Sequence, residues 1–310
     1  MIQKTIIEDK SLYRDSFRVD SFTFGSGAKD VCILGSLRGN EYQQLYTASL
    51  LIERLKELEE KNKIIDGHMI TVIPCGNPSS MNIHKRFWPI DNTDINRMFP
   101  GYNLGETTQR VAASLFEHLK GYKYGIQFAS FYMKGRFIPH VRMMKTGYEN
   151  VLMAKQFGLP YVVLHNPRPV DTGTLNYNWQ IWETNAFSIY TTSTSELDSE
   201  SAKDAVDAIL IFLAKEGLIR YRGIEGYISR VVESDDFIDL RAPKAGFFIN
   251  HIMEGEHVKK GQVIASIKDC YTQSLLSEIV SPVNGTVAFI SNEPLTYQNT
   301  LLFNLIEDLE

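Results

Sequence analysis

The sequence is poor in cysteine and has no long hydrophobic run. Its three cysteines are far apart and odd in number, which argues against a disulfide framework and is typical of reduced thiols in a cytoplasm. No apolar stretch reaches the roughly 18 residues that a transmembrane helix needs, and the N-terminal residues lack the apolar core of a secretory signal. We therefore expect a cytoplasmic protein that does not contact the membrane.

The sequence also has no excess of basic residues. Lysine and arginine number 32 against 37 aspartates and glutamates, which gives a formal net charge of −5 at pH 7. Nucleic acid binding depends on basic surfaces that neutralise phosphates, so this balance argues against a nucleic acid partner. The apolar fraction of 44% and the charged fraction of 22% are ordinary for a globular protein with a substantial core.

Strand and helix signals alternate over residues 20–217. Short apolar runs predict strands, and apolar residues spaced three and four apart predict helices. Strands separated by helices of this length imply an α/β fold, with a mixed, mostly parallel sheet flanked by helices on both faces. The predicted strands are 31–34, 69–73, 124–128, 161–164 and 187–190, and the predicted helices are 42–61, 106–119 and 202–214.

The pattern changes after residue 217. Residues 225–310 contain short β-branched runs interrupted by glycine, which predicts a small all-β domain. The phrase Ala242-Pro-Lys-Ala-Gly246 recurs as Ser281-Pro-Val-Asn-Gly285 and indicates two related halves. This domain resembles the barrel-sandwich hybrid fold of biotinyl and lipoyl carriers, but residues 269–277 lack the attachment lysine of a carrier. We expect residues 1–220 to form the α/β domain and residues 221–310 a structural or assembly module.

A motif with charged residues follows the first predicted strand, where Arg38-Gly-Asn-Glu41 precedes a helix. It resembles the first metal-binding motif of the succinylglutamate desuccinylase/aspartoacylase family of zinc carboxypeptidase-like hydrolases, which has His-Gly-Asn-Glu at this point. The resemblance implies that Glu41 matches a zinc ligand and that Arg38 replaces the ligand histidine. Arginine stays protonated and offers no lone pair, so we expect Arg38 to place a fixed positive charge beside Glu41.

The resemblance also locates the remaining metal and catalytic positions. The family strand that ends in Asp-Leu-His matches residues 124–132, which places Gln127 on the aspartate and Ala129 on the ligand histidine. Tyr190 falls on the catalytic glutamate of the family. Alanine offers no donor atom, and a tyrosine hydroxyl is a poor base at neutral pH. Since the sequence also contains no HxxxH or HExxH spacing, we expect the zinc site to be degenerate.

The substrate-holding motif is better preserved. Residues 91–101, DNTDINRMFPG, are similar to the family phrase Asp-Leu-Asn-Arg-x-Phe-Pro-Gly, which implies that Asn96 and Arg97 hold a substrate carboxylate. Arg86 matches a second family arginine, associated with binding or polarising the scissile carbonyl. With Arg38 these cations predict a positive pocket, partly offset by Glu41, that favours a small carboxylate or phosphate. The alternative is a turn that only maintains the fold, in which Asp94 and Arg97 pair.

Three functions remain open at this point. The first is a metal-free, catalytically altered family member, a pseudoenzyme that binds a small carboxylate or supports an active paralogue in a homo- or hetero-oligomer. The second is a working amidohydrolase for an N-acyl amino acid. It requires zinc on unusual ligands, such as Glu41 with His140 or His165, or a metal-free mechanism through Tyr190. The third is an interaction protein whose β domain builds an oligomer.

Overall fold

The structure is a computed structural model that describes residues 1–10, 16–224 and 226–309. The chain divides into two compact units. The first unit comprises Met1–Ser130 and Pro139–Val232, and the second comprises Phe131–Ile138 and the residues from Glu233 onward. Within the described ranges, no helix is both long enough and apolar enough to cross a membrane.

The strands and helices follow in chain order. The strands are β1 (Ile2–Asp9), β2 (Phe17–Gly25), β3 (Gly27–Ser36), β4 (Gly67–Cys75), β5 (Tyr124–Ala129), β6 (Gly135–Phe137), β7 (His140–Met144), β8 (Tyr161–His165), β9 (Asn185–Tyr190), β10 (Arg230–Glu233), β11 (Ile238–Arg241), β12 (Gly246–Asn250), β13 (His257–Val258), β14 (Val263–Lys268), β15 (Leu275–Val280), β16 (Gly285–Ser291), β17 (Leu295–Thr296) and β18 (Leu301–Glu307). The helices are α1 (Tyr42–Glu60), α2 (Pro78–Asn82), α3 (Thr107–Leu119), α4 (Val151–Ala154), α5 (Leu175–Ile181) and α6 (Ser199–Lys215).

The sheet of the first unit is mixed. In the described residues its strand order is β1-β2-β4-β3-β5-β9-β7-β8-β10. The central pairs β4–β3, β3–β5 and β5–β9 are parallel, as is β7–β8, whereas β1–β2, β2–β4 and β7–β9 are antiparallel. All the predicted strands and helices are present. The antiparallel edge formed by β1 and β2 was not predicted, because β1 is mostly exposed and charged.

Apolar side chains on the two faces of this sheet form separate cores. In β3, Val31 and Ile33 belong to one core, whereas Cys32 and Leu34 belong to the other. This alternation follows from the two-residue period of a strand. Residues of α1 and α6 complete the first core, and residues of α3 and α5 complete the second. The predicted layering of helices on both faces is therefore confirmed.

The second unit is built from antiparallel sheets that repeat one pattern. Within the described residues, one sheet has the order β11-β18-β16-β13, with β6 added to β16, and the other has the order β15-β14-β12-β17. Exchanging β11 with β15, β12 with β16, β13 with β17 and β14 with β18 converts one order into the other. Gly246 begins β12 and Gly285 begins β16, so the repeated sequence phrase marks equivalent strand starts. This topology agrees with the prediction of two related halves.

Candidate functional site

The candidate site lies where the parallel strands of the first unit end. The carboxyl ends of such strands share one edge of a sheet, which is where α/β proteins gather functional side chains. Ala129, at the end of β5, pairs in register with Tyr190 at the end of β9, and Tyr190 pairs with His140 on β7. The rings of His140 and Tyr190 stack with centroids 4.7 Å apart. Two positions that the sequence assigned separately, Ala129 and Tyr190, are thus neighbours.

Glu41 is fully buried at the N-terminal end of α1, and both of its carboxylate oxygens accept hydrogen bonds. Oε2 accepts from the backbone N–H groups of Leu37 at 2.7 Å and Arg38 at 3.0 Å. Oε1 accepts from Arg38 Nη1 at 3.0 Å and from the hydroxyl of Ser130. A helix N-terminus favours a negative charge. Both oxygens of the Glu41 carboxylate are therefore held by hydrogen-bond donors of the protein.

The guanidinium of Arg38 lies between two carboxylates. Its Nε donates to both oxygens of Asp94, at 2.9 and 3.1 Å, and its Nη1 donates to Glu41. Only 4% of the Arg38 side chain is exposed. Burial lowers the pKa of Arg38, but the charges of Asp94 and Glu41 outweigh burial and hold the pKa above its ordinary value. The ion pair that the sequence predicted between Arg38 and Glu41 is present.

Asp94 connects Arg38 to the second predicted arginine. Its Oδ2 accepts from Arg86 Nη2 at 2.9 Å, and its Oδ1 accepts from the backbone N–H of Asn96 at 3.0 Å. Burial raises the pKa of Asp94, but Arg38 and Arg86 outweigh it and the pKa is lowered. In the part of the chain that the structure describes, the ion pairs of Asp94 are with Arg38 and Arg86. The predicted alternative, an Asp94–Arg97 pair, therefore does not describe this turn.

Arg97 has a looser environment. Its Nη1 donates to the Asn96 carbonyl at 3.0 Å, and its Nη2 lies 3.9 Å from Asp171 Oδ1. Burial lowers the pKa of Arg97, and the positive charge of Arg38 lowers it further. The side-chain oxygen of Asn96 accepts from the backbone N–H of Leu175 at 2.9 Å, at the start of α5. Asn96 therefore helps to join the arginine motif to α5, a contact that the sequence did not indicate.

His165, the second histidine that the sequence analysis considered, lies beside Asp171. His165 Nε2 and Asp171 Oδ2 are 3.1 Å apart, and the same oxygen accepts from the backbone N–H and Nε of Arg168. Burial lowers the pKa of His165, as does the charge of Arg142, while Asp171 opposes both. His165 thus contacts the carboxylate next to Arg97.

The charges of the site balance. The expectation of a strongly positive pocket counted three arginines against Glu41 alone. The structure adds Asp94, which pairs with Arg38 and Arg86, and Asp171, which lies near Arg97. These three arginines and three carboxylates sum to zero formal charge, and the exposed Arg168 also pairs with Asp171, so the expectation of a strongly positive pocket is corrected. Asp94 lies inside the recognised motif and could have been included, whereas nothing in the sequence pointed to Asp171 or to Ser130.

The residues at the family zinc position do not fit a zinc ion. Zinc ligands in proteins are thiolates, imidazoles and carboxylates that donate a lone pair. At the positions that the sequence resemblance assigns to ligands, Arg38 offers no lone pair, Ala129 has no donor atom, and the oxygens of Glu41 already accept protein hydrogen bonds. Across the described ranges, no group of three or more His, Cys, Asp or Glu side chains is arranged to hold a metal ion.

A mixed sheet between helical layers, with charged side chains at the ends of its parallel strands, defines an α/β protein whose candidate site lies at one edge of the sheet. Residues 27–213 match the model of the succinylglutamate desuccinylase/aspartoacylase catalytic domain, and the chain belongs to this family. This match confirms the resemblance found in the sequence. No curated protein matches the chain significantly.

Solved structures share the fold over nearly the whole chain. A succinylglutamate desuccinylase/aspartoacylase from Rhodobacter sphaeroides is 20% identical, with a TM-score of 0.76 over 96% of this chain and 91% of that one. The product-bound ectoine utilization protein EutE (DoeB) from Ruegeria pomeroyi is 18% identical, with a TM-score of 0.78 over 95% and 90%. A putative family member from Shewanella frigidimarina NCIMB 400 is 18% identical, with a TM-score of 0.78 over 99% and 97%. At these identities the likeness establishes the fold alone.

Proposed function

We propose that this protein is a metal-free, catalytically altered member of its family that binds a small carboxylate, either alone or in support of an active paralogue. The observation that carries the proposal is the position of Arg38, whose guanidinium joins Glu41 and Asp94 where the family has a zinc-ligand histidine. A fixed cation there forms ion pairs with both buried carboxylates without a metal ion. Removing one partner of a buried ion pair is costly, so this arrangement favours retention of Arg38.

Arg86 and Arg97 are the residues that we assign to the ligand. Their side chains are 22% and 28% exposed, compared with 4% for Arg38. A ligand can therefore approach Arg86 and Arg97 but not Arg38. An arginine fork matches the geometry of a carboxylate and forms bidentate hydrogen bonds with it. Asn96 supports this pair by holding the backbone of the motif beside α5.

The altered chemistry is inferred from the remaining positions. Glu41 accepts four protein hydrogen bonds, so both of its oxygens are engaged by the protein. Tyr190 replaces the family glutamate and is stacked on His140. For residues 221–310 we propose a barrel-sandwich hybrid domain without a carrier function that contributes to assembly in the cytoplasm.

Metal analysis and a binding titration together test the proposal. Protein purified from zinc-supplemented cells should contain far less than one zinc per chain by elemental analysis. Acetate, titrated by protein NMR, should bind to the wild-type chain and lose about tenfold or more in affinity on Arg97→Met, as expected for a charge-assisted hydrogen bond. Arg54→Met is the matched control, because Arg54 pairs with Glu57 on the exposed side of α1. Stoichiometric zinc, or binding that is indifferent to Arg97, contradicts the proposal.

A working amidohydrolase is the second candidate, favoured by membership of a catalytic-domain family and by the hydroxyl of Ser130 that contacts Glu41. Turnover of N-acyl amino acids, with and without added zinc, tests this candidate. Glu41→Ala provides the control, and no turnover in either condition rejects it. For the third candidate, an oligomeric interaction protein, light scattering on the intact chain measures the mass directly, and a monomer would reject it.

A further inference from the structure

Of the three site arginines, Arg97 has the longest ion-pair distance to a carboxylate. Arg38 and Arg86 each lie 2.9 Å from an oxygen of Asp94, whereas Arg97 lies 3.9 Å from Asp171. A ligand carboxylate that reaches Arg97 does not have to displace a tight ion pair. It does, however, meet a cation that already has a negative charge beside it.

Asp171 is held firmly in this place. The backbone N–H and Nε of Arg168 donate to its Oδ2 at 3.1 and 3.3 Å, and His165 Nε2 is 3.1 Å from the same oxygen. Asp171 is only 4% exposed. Since these contacts fix the carboxylate, it remains close to Arg97 when a ligand arrives.

The loop that follows Asp171 is locked to the arginine motif. Phe99 N–H donates to the Gly173 carbonyl at 2.9 Å, and Leu175 N–H donates to Asn96 at 2.9 Å. Asn178 Nδ2 donates to the Phe99 carbonyl at 3.0 Å. A Cβ added at Gly173 would lie 2.2 Å from the Arg97 carbonyl oxygen, so the two segments are in close contact. The backbone segments that carry Asp171 and Arg97 are therefore held together by these contacts.

We propose that Asp171 is a specificity-determining residue that restricts the ligand at Arg97 to a single negative charge. This inference rests on the proposed carboxylate-binding function. The three site arginines are already balanced by Glu41, Asp94 and Asp171, so a bound monoanion leaves one excess negative charge and a bound dianion leaves two. Arg168 adds a positive charge near Asp171, but its side chain is 65% exposed, so solvent screens it. Repulsion by Asp171 grows in proportion to the ligand charge.

The proportionality gives a quantitative signature. Asp171→Asn removes the charge and keeps the shape and an oxygen that accepts from Arg168. Because a dianion interacts twice as strongly with the removed charge, its affinity gain should be the square of the gain for a monoanion. If acetate gains about threefold, malonate should gain about ninefold. Asp171→Glu keeps the charge and should retain the wild-type preference for acetate.

Titrations by protein NMR at neutral pH and constant ionic strength, with acetate and malonate as probes, measure this selectivity. Asp91→Asn is the matched control: Asp91 is the first aspartate of the same motif and accepts from Thr93 and Thr108, and its loss should leave the ratio of the two affinities unchanged. The wild-type preference for acetate over malonate tests the inference even without a folded variant.

The outcomes separate the two claims. Arg97-dependent acetate binding together with equal acetate and malonate affinities in the wild-type chain overturns the role of Asp171 and leaves the proposed function intact. An Asp171→Asn variant that gains equally for both ligands, or loses for both, overturns it as well. If the wild-type chain binds neither ligand through Arg97, the proposed function fails, and the role of Asp171 fails with it.

Discussion

The surroundings of Arg38 and of Arg97 differ in burial and in ion-pair distance. Around Arg38 the charged groups are buried and bonded to one another at 2.9–3.1 Å, whereas around Arg97 the nearest carboxylate is 3.9 Å away and the arginine is partly exposed. An arginine in this fold has a structural role when all its carboxylate partners lie within the protein and bind it tightly. The same kind of side chain stays available for binding when its partner is loose.

The largest effect is expected from removal of the buried cation. Arg38→Met leaves Glu41 and Asp94 as buried carboxylates without their central partner, and the free energy of unfolding should fall by about 3–5 kcal/mol. Arg97→Met should cost less than about 1 kcal/mol, because its ion pair is long and partly solvated. Urea denaturation of both variants measures the difference. Equal losses of unfolding free energy in the two variants would mean that Arg38 and Arg97 contribute equally to stability, which contradicts this contrast.

Restoring the predicted family ligands should replace the ion pairs of Arg38 by a zinc site. Arg38→His combined with Ala129→His places two imidazoles near Glu41, and three such ligands are sufficient for zinc. We expect the double variant to bind about one zinc ion per chain by elemental analysis, with each single variant binding much less. We expect no turnover from the double variant, because Tyr190 occupies the position that the sequence resemblance assigns to the base. A double variant that folds and excludes zinc would show that the backbone geometry has also diverged.

A smaller effect is expected on acid stability. The pKa of Asp94 is lowered in the folded chain, so its contribution to stability is fully present above the unfolded value, about 3.9, and is lost as the pH falls toward the folded pKa. Below about pH 4 the wild-type chain should therefore lose stability more steeply than Asp94→Asn, which has no such titration. Denaturation midpoints measured across this range give the two slopes. If the denaturation midpoints of the two proteins fall with equal slopes, the titration of Asp94 does not contribute to acid unfolding.

Much of the fold follows from sequence periodicity, since strands such as β3 and helices such as α1 carry a continuous apolar signal. Only part of the candidate site could be predicted from the sequence. Arg38 and Arg97 lie in local motifs that a reader of the sequence can recognise. Asp171, by contrast, reaches Arg97 through loop packing between segments that are distant in the chain, and no local pattern encodes such proximity. The edge strand β1 was missed for a different reason, because its exposed charged residues produce no apolar run.

The placement of β6 has a consequence for how the chain is made. The chain leaves the first unit after Ser130, contributes β6 to a sheet of the second unit, and returns at Pro139. On that sheet β6 pairs with Phe289, Ile290 and Ser291 of β16. During synthesis, therefore, β6 emerges from the ribosome long before the strand that it pairs with exists. The pairing of β6 in the second unit has to wait until β16 has been translated.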